Sequence, residues 1–282
     1  MLKSLLKRIV PTSIWARARE WSNSRNHARA LTQFPRRQVE HTYCGHRLRI
    51  TLGDNDGAEW YDKDWPSFPG LDLLASSRLV PGARVFDIGA HQGIVALVLA
   101  RTVGPIGSVV AVEPHPLNIE LMERNRSLNG ADNLTIRQSV CGDNRGSVRM
   151  GHNLNDRVRS DREYGGYRVQ SETLEDLAAE FGAPDVAFID VEGHEIRVLQ
   201  GATKILAGYR TDWFIEIHVG VGLEAAGGSV EELMSYFPSK NYELFVGSDA
   251  TPEFVPVSAG ARLLQSRCYL AALGRRPQAT TT

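Results

Sequence analysis

The chain has 282 residues, of which 42% are hydrophobic and 23% charged, enough apolar side chains to bury the core of a soluble globular protein. No apolar run reaches the roughly 18–20 residues that span a bilayer, which argues against an integral membrane protein. Cys44, Cys141 and Cys268 lie far apart, without a C-x-x-C pair. This spacing argues against a disulfide framework and against a cysteine-based zinc site. We therefore predict a cytoplasmic protein, in a reducing compartment. The net charge of −1 gives no reason to expect a nucleic-acid partner.

The charge is divided unevenly between the first 40 residues and the rest of the chain. Residues 1–40 hold nine Lys and Arg residues against two acids, a net charge of +7, so the remainder carries −8. Four apolar residues of this basic arm share one helical face: Leu2, Leu5, Leu6 and Ile9. We therefore predict an N-terminal helical extension. It either packs on the body or on a second copy of the chain in a homodimer, or it makes a peripheral contact with an anionic membrane surface.

The next stretch, residues 41–83, combines a β-like pattern with a group of aromatic residues. Apolar residues alternate along 46–52, which is typical of a half-buried strand, and the Gly- and Asp-rich segment 53–57 predicts a turn. Four aromatic residues follow within a short distance: Trp60, Tyr61, Trp65 and Phe68. This lead-in is expected to form either a lid over a substrate pocket or a packed entry to the main domain.

Strand and helix patterns alternate in the main domain, residues 84–273, and a polar tail, 274–282, is predicted to be disordered. The predicted strands are 84–88, 108–113, 134–140, 185–190, 212–218, 241–246 and 266–272. The predicted helices are 92–102, 116–129, 173–181 and 194–206. Such alternation predicts an α/β fold with a doubly wound, mostly parallel sheet of seven strands. Ligands of such sheets bind at the edge formed by the carboxyl ends of the strands.

The first predicted strand ends in a turn that suits a positively charged ligand. Asp87, Gly89 and Gly93 form a D-x-G-x-x-x-G pattern, whose glycines let a ligand approach the backbone closely. The carboxylate would oppose a pyrophosphate at the start of the next helix and favours an ammonium or sulfonium centre. His91 occupies the place of the second glycine of the dinucleotide fingerprint G-x-G-x-x-G, which is therefore absent.

The second predicted strand ends in an acid, Glu113, about 26 residues after Asp87. An acid in that position is suited to accept hydrogen bonds from the two hydroxyl groups of a ribose. Together the two acids predict a nucleoside with a cationic appendage, which is what S-adenosylmethionine presents.

Two later strands bring more ionisable residues to the same edge. The fourth strand runs into Asp190, Glu192 and His194. The fifth carries Glu216 and His218 on one face, so all five could gather in one cleft. Asp190, His194 and His218 are candidate general bases, and Asp190, Glu216 and His218 are candidate ligands of Mg²⁺ or Mn²⁺. Hydrogen bonding to the methionine part of the cofactor is a third role, and we favour a base without a metal.

Several segments between Val85 and His218 form one ordered set: FDIGAHQG, VEPHP, RSLNG, SVCGDNRGSV, SETLEDL, FIDVEGHEIRVLQGA and FIEIH. In order and spacing they resemble the FkbM family of S-adenosylmethionine-dependent methyltransferases, and the segment that runs from DVEGHE to VLQGA is the most specific. The resemblance implies a class I, Rossmann-like methyltransferase fold. It also implies O-methylation of a hydroxyl on a sugar, a polysaccharide or a secondary metabolite.

The resemblance also assigns site residues. It implies that Glu113 binds the ribose and that Asp190 lies near the transferring methyl group. Cys141 and Asp143 belong to the loop expected beside the adenine. The implied cofactor turn consists of Asp87, Gly89, Ala90, His91 and Gly93. The chain departs from the family in having His91 in place of the usual Asn and Phe188 in place of the usual Lys.

The acceptor is expected to be a small molecule or a glycan. We predict that it is recognised by the aromatic segment 60–68 and by a polar insertion, 151–170, that contains Tyr164 and Tyr167. Two other functions remain open at this point. One is an NAD(P)-dependent oxidoreductase acting on nucleotide sugars, and the other is a non-catalytic scaffold that keeps the fold.

Overall fold

The computed structural model of the protein describes residues 34–151, 158–159 and 166–275. The predicted helical extension, Tyr164 and the tail beyond residue 275 lie outside these residues. The homodimer and the membrane contact of the basic arm therefore stay predictions. Among the helices in the described ranges, none combines the length and the apolar character required to cross a bilayer.

The lead-in begins with a β-hairpin. Strands β1 (Arg37–Tyr43) and β2 (His46–Leu52) pair antiparallel, with Arg37 opposite Leu52. The strand starts before residue 40 and so crosses the predicted boundary between arm and lead-in, which stays a prediction. It pairs along its whole length with the alternating strand β2, although its own residues are mostly polar and exposed.

Two short helices follow the hairpin, α1 (Asn55–Tyr61) and α2 (Leu71–Ala75). Helix α1 starts inside the segment that was predicted to be a turn. The side chain of Asp54 accepts a hydrogen bond from the Gly57 backbone N–H at 2.7 Å, which caps the helix. The Gly- and Asp-rich composition therefore marks a helix start here.

The main domain supplies the remaining strands: β3 (Arg84–Ile88), β4 (Ser108–Val112), β5 (Leu134–Arg137), β6 (Val140–Cys141), β7 (Gly146–Met150), β8 (Val158–Arg159), β9 (Tyr167–Glu172), β10 (Val186–Ile189), β11 (Asp212–Ile217), β12 (Tyr242–Ser248), β13 (Thr251–Pro256) and β14 (Cys268–Gly274). Its helices are α3 (Ile94–Val103), α4 (Pro116–Leu128), α5 (Leu174–Phe181), α6 (Glu195–Gln200), α7 (Thr203–Gly208), α8 (Val230–Ser235) and α9 (Val257–Gly260), followed by a 3₁₀ helix (Ala261–Gln265).

The central sheet is doubly wound and mostly parallel, as predicted. Within the described ranges it has eight strands in the order β13-β12-β14-β11-β10-β3-β4-β5. The five strands from β11 to β5 are parallel to their neighbours, and β14 runs antiparallel between β11 and β12. The predicted count of seven is wrong because β13 adds an edge strand beside β12. Strand β13 contains two prolines, Pro252 and Pro256, which are typical of a loop. An edge strand tolerates proline because it has unpaired backbone positions.

Two predicted elements are divided in the structure. The third predicted strand, 134–140, becomes β5 in the central sheet and β6 in a small sheet of order β6-β9-β7-β8. The predicted helix 194–206 becomes α6 and α7. The break falls at Gly201, where a Cβ atom would lie 2.0 Å from the carbonyl oxygen of Gly142. The backbones touch at this point, so the helix bends around the contact.

The hydrophobic core lies on both faces of the central sheet. Adjacent residues of β3 point to opposite faces, with Val85 in the cluster beside the hairpin and α3, and Phe86 in the cluster around Trp213. Helices thus cover the sheet on both sides. The carboxyl ends of the parallel strands are left as the place where polar side chains gather.

Candidate active site

A cavity of about 680 Å³ opens at the carboxyl edge of the central sheet, within the usual range of ligand sites. The ends of β3, β4, β10 and β11 contribute to its lining, together with the lead-in. The predicted cofactor residues that line it are Asp87, Gly89, Ala90, His91, Glu113, Cys141 and Asp190. Two others, Gly93 and Asp143, do not line it.

The backbone of the cofactor turn, residues 87–93, passes very close to the end of β10. Gly89 has a φ of +90°, and a Cβ atom there would lie 1.7 Å from the carbonyl oxygen of Asp190. Only glycine fits this position. Gly93 has a φ of +83°, and a Cβ atom there would lie 2.4 Å from Cγ of Met122. Gly93 therefore allows α3 to pack against α4, which is a structural role.

Asp87 places a carboxyl group in the wall of the cavity, and no Lys or Arg of the described residues forms an ion pair with it. Its side chain is buried, with 5% of the residue exposed, and Oδ2 has no hydrogen-bond partner among the described residues. Burial raises the pKa of Asp87 to about 7. A buried carboxylate of this kind is ready to accept a cationic ligand, which would offset the cost of its charge.

Glu113 is held by hydrogen bonds from the turns around it. Its Oε2 accepts from the backbone N–H of His91 at 3.0 Å, and its Oε1 accepts from the backbone N–H of His115 at 2.8 Å and from Nδ2 of Asn118 at 3.1 Å. Burial outweighs these bonds and raises the pKa of Glu113 to about 7. The carboxyl group is thus fixed in position at the end of β4, beside the cofactor turn.

His91 links the cofactor turn to the lead-in. Its Nδ1 lies 2.8 Å from the hydroxyl oxygen of Tyr61, and its backbone φ of +48° is unusual for a residue with a side chain. Burial, with a smaller contribution from His115, lowers the pKa of His91 to about 3, so the ring is neutral. A second link joins Nε2 of Gln92 to Oδ2 of Asp54 at 2.5 Å. The lead-in is therefore attached directly to the turn that was predicted to bind the cofactor.

The aromatic segment of the lead-in forms one side of the cavity. Trp60, Trp65 and Phe68, which we call the aromatic wall, line it together with Lys63. The wall continues into the sheet, since the ring of Phe68 lies 6.2 Å from that of Phe188. The segment is thus both packed on the domain and exposed to the cavity, and its role as a lid stays a prediction.

A carboxylate–histidine cluster lies at the ends of β10 and β11 and comprises Asp190, Glu192, Glu195, Glu216 and His218. His218 is 2% exposed, and its Nδ1 lies 2.7 Å from Oε1 of the fully buried Glu195. Its Nε2 faces three carboxylates, at 3.4 Å from Glu192, 3.7 Å from Asp190 and 3.8 Å from Glu216. The predicted meeting of Asp190, Glu216 and His218 is therefore present in the structure.

The pKa values within the cluster indicate which of its members can accept a proton. Burial opposes the charged form of His218, but the hydrogen bond to Glu195 and the charge of Asp190 raise its pKa to about 9. Partial burial, reinforced by Glu216, raises the pKa of Asp190 above its ordinary value, and burial raises that of Glu192. The histidine carries its proton at neutral pH in this state. This favours Asp190 or Glu192 as a proton acceptor over His218.

Glu192 is presented to the cavity by a strained turn. Its φ is +52°, and it is followed by Gly193 with a φ of +102°. A Cβ atom at Gly193 would lie 2.3 Å from the backbone of Gly222. The side chain of Glu192 remains 42% exposed and lines the cavity. Left-handed backbone at a residue other than glycine is often retained for function.

The remaining predicted site residues have different positions. His194 lines the cavity at the N-terminus of α6, and Cys141 lines it at the end of β6. Asp143 does not line the cavity, and its carboxylate forms an ion pair with Arg197 at 2.5 Å. Its predicted contact with the adenine stays a prediction.

The sequence analysis missed three residues that complete the site. Glu195 follows the strand-end acids so closely that it reads as a helix-start acid, yet it anchors His218. Arg267 contacts Glu216 through Nε, and Tyr269 lines the cavity, both from the antiparallel β14 region. No motif marks them, because that segment reads in the sequence as an apolar strand.

The fold and the cavity together define a Rossmann-like methyltransferase. A family model, the methyltransferase FkbM domain, matches residues 87–244, which is more than half of the chain. The chain therefore belongs to the FkbM methyltransferase family. This membership confirms the resemblance predicted from the sequence, and it decides against the nicotinamide-dependent oxidoreductase.

Individual relatives match over shorter stretches. The protein-L-isoaspartate O-methyltransferase of Thermotoga maritima is 34% identical over 94 residues, which are 33% of this chain and 28% of that protein. The enzyme of the same name from Caenorhabditis elegans is 40% identical over 55 residues, 20% of this chain and 24% of the relative. This chain thus spans only about a quarter of the length of these two proteins.

Solved structures are similar at low sequence identity. Methyltransferase FkbM from Methylobacillus flagellatus has a TM-score of 0.46 at 17% identity, covering 67% of this chain and 43% of its own. A SAM-dependent methyltransferase from Aquifex aeolicus has a TM-score of 0.41 at 13% identity, with coverages of 78% and 93%.

S-adenosylmethionine is the cofactor, and the cavity fits it. The buried Oδ2 of Asp87, which has no hydrogen-bond partner among the described residues, suits a cationic group. Gly89 has no side chain, so the backbone between β3 and β10 is accessible to a ligand. Glu113 stands at the end of the adjacent strand. The individual cofactor contacts of these residues stay predictions.

Proposed function

We propose that this protein methylates a hydroxyl oxygen on a sugar, a polysaccharide or a secondary metabolite. The observation that carries the proposal is that one cavity joins three features. These are the buried acids Asp87 and Glu113, the exposed acids Asp190 and Glu192, and the aromatic wall. Such a cavity offers a place for the cofactor, for a proton and for an organic acceptor.

The cofactor half of the cavity is formed by the cofactor turn and Glu113. Asp87 offers its carboxylate to the cationic part of the cofactor, and Glu113 accepts hydrogen bonds from the ribose. S-adenosylmethionine supplies an electrophilic methyl group, which leaves sulfur as it bonds to the acceptor oxygen. The close approach of Gly89 to Asp190 brings this half next to the carboxylate–histidine cluster.

The acceptor half is formed by the aromatic wall and Lys63. The faces of Trp60, Trp65 and Phe68 suit the C–H face of a sugar ring or the apolar body of a metabolite. Holding the hydroxyl in line with the methyl group contributes roughly 7–11 kcal/mol to lowering the barrier. Positioning of the acceptor hydroxyl is therefore the main contribution of the protein to the rate of methyl transfer.

The acceptor hydroxyl must lose its proton as the new O–C bond forms. Asp190 and Glu192 are the two cluster carboxylates with large exposed fractions, 52% and 42%, and either one can take up this proton. Their raised pKa makes each a stronger base than an ordinary carboxylate. General-base catalysis of this kind contributes about 10²–10⁴-fold.

A transfer assay with tritiated S-adenosylmethionine and separate polysaccharide, lipid and small-metabolite fractions tests the proposal. We expect a labelled product that survives mild base, as a methyl ether does and a methyl ester does not. Asp190→Asn and Glu192→Gln should lower turnover, at least one of them by about 10²–10⁴-fold, without changing cofactor affinity. Asp72→Asn, on the exposed face of α2, serves as the control. A base-labile product, or full activity in both variants, would contradict the proposal.

A further inference from the structure

The carboxylate–histidine cluster has a geometry that a proton-accepting role alone does not require. We propose that Asp190, Glu216 and His218 bind one divalent cation, Mn²⁺ or Mg²⁺, which activates the acceptor hydroxyl. The role of the cation in catalysis rests on the proposed function, whereas its binding does not.

The distances within the cluster match a coordination sphere. One ligand atom from each of the three residues lies within 4.8 Å of the others. His218 Nε2 is 3.7 Å from Oδ1 of Asp190 and 3.8 Å from Oε1 of Glu216. Ligand atoms bound at about 2.0–2.2 Å to one cation lie roughly 3–4.4 Å apart. Small side-chain rotations are therefore enough to close the site.

His218 is the independent sign of a ligand. The residue is buried, and its Nε2 points at the carboxylates without a hydrogen-bond partner among the described residues. Its other ring nitrogen, Nδ1, is fixed at 2.7 Å from the buried Glu195. Histidines that bind metals almost always use one nitrogen for the metal and donate the other N–H to a carboxylate or carbonyl. Glu195 thus orients the ring, which explains why an acid is buried at that position.

The charge around the cluster also favours a bound cation. Four carboxylates surround His218, and in the described ranges Arg267 is the one Arg or Lys within ion-pair distance of any of them. Arg267 contacts Glu216 alone, so it shares that carboxylate with the cation. Grouped carboxylates in a partly buried site are costly without compensation. A divalent cation that replaces the imidazole proton of His218 adds one net positive charge to this acidic cluster.

The three ligand residues determine which cation binds, and one of the remaining acids of the cluster takes the proton. Two carboxylates and one imidazole suit Mn²⁺, with Mg²⁺ as the harder alternative. The bound cation draws electrons from the acceptor oxygen, so the O–H bond breaks more readily, and its electron pair stays on oxygen to form the O–C bond. Glu192 lies outside the ligand set and takes the proton.

Calorimetric titration of the full chain with Mn²⁺ alone, without cofactor or acceptor, tests the binding. We use pH 8 because metal binding displaces the proton of the imidazole. One Mn²⁺ per chain is expected. Asp190→Asn and His218→Ala should raise the dissociation constant at least about 10-fold, and Glu195→Gln about 10–100-fold. Asp72→Asn should leave it within about threefold, whereas Glu192→Gln should lower turnover and weaken Mn²⁺ binding less than the ligand variants do.

The binding measurements on these variants decide whether the cation site exists. If His218→Ala fails to fold, Asp190→Asn, whose side chain is half exposed, decides the result. Absence of Mn²⁺ and Mg²⁺ binding, or equal binding by wild type and Asp190→Asn, overturns the metal site. Methyl transfer that survives chelation would then leave the proposed function standing. Specific Mn²⁺ binding without methyl transfer to any acceptor would support the metal site and contradict the proposed function.

Discussion

Replacing Asp87 with Asn should make the protein more stable and a poorer binder of its cofactor. Burial gives Asp87 a pKa of about 7 in the folded protein, against 3.8 in the unfolded chain. The folded state therefore keeps this proton at pH values where the unfolded chain has lost it. The contribution of Asp87 to the free energy of unfolding thus falls as the pH rises from about 4 to about 7, and it stays low above that.

The size of the effect follows from the two pKa values. At about 1.4 kcal/mol per decade, the loss reaches about 4 kcal/mol above pH 7. Asn carries no charge at any of these pH values. Asp87→Asn should therefore match the wild type near pH 4 and exceed its stability at pH 8 by up to about 4 kcal/mol. Because the attraction to a cationic ligand is lost, cofactor affinity should fall by about 10-fold or more.

Urea unfolding of both proteins at pH 4, 6 and 8 measures the first effect, and calorimetric titration with S-adenosylmethionine measures the second. Other groups also make stability depend on pH, and His91 does so in the direction opposite to Asp87. Both proteins contain these groups, so their contributions cancel in the difference between the two free energies of unfolding. Asp72→Asn, an exposed carboxylate on α2, should show no comparable trend. A stability difference that does not change with pH, or an Asn variant less stable at pH 8, would refute the reasoning about Asp87.

Two further predictions concern the walls of the cavity. Gly89→Ala should destabilise the fold by about 3 kcal/mol or more in urea unfolding, because its Cβ would meet the Asp190 carbonyl oxygen at 1.7 Å. Gly130→Ala has a φ of +54° but open space around it, and should lose only about 1–2 kcal/mol; equal losses would contradict the steric argument. Trp65→Ala and Phe68→Ala should raise the KM for the acceptor and leave the calorimetric affinity for S-adenosylmethionine unchanged. A parallel loss of both affinities would contradict an acceptor role for the aromatic wall.

The strand ends of the site were predictable from the sequence. Parallel strands bring their carboxyl ends to one edge, so an acid at the end of each strand, such as Asp87, Glu113 or Asp190, is expected there. The spacing of Glu216 and His218 places both side chains on one face of β11. These inferences need only the period of the strand and the direction of the chain.

Other parts of the site depend on contacts that no local pattern records. Arg267 immediately precedes β14 and contacts Glu216 from there. Strand β14 runs antiparallel to β11 and comes from the far end of the chain. Glu195 pairs with His218 only because a tight turn folds α6 back over the end of the sheet. The edge strand β13 forms because β12 offers it free backbone groups, despite its prolines.

The hairpin of the lead-in is held by a helix that lies far along the chain. The backbone N–H of Thr51 donates to Oδ1 of Asn125 at 2.7 Å, and Nδ2 of Asn125 donates to the carbonyl oxygen of Gln92 at 3.1 Å. During synthesis the hairpin therefore leaves the ribosome more than 70 residues before the asparagine that anchors it. Contacts of such long range form late and slow folding. Until then the apolar side of the hairpin, including Leu48 and Ile50, is open to chaperones and to aggregation.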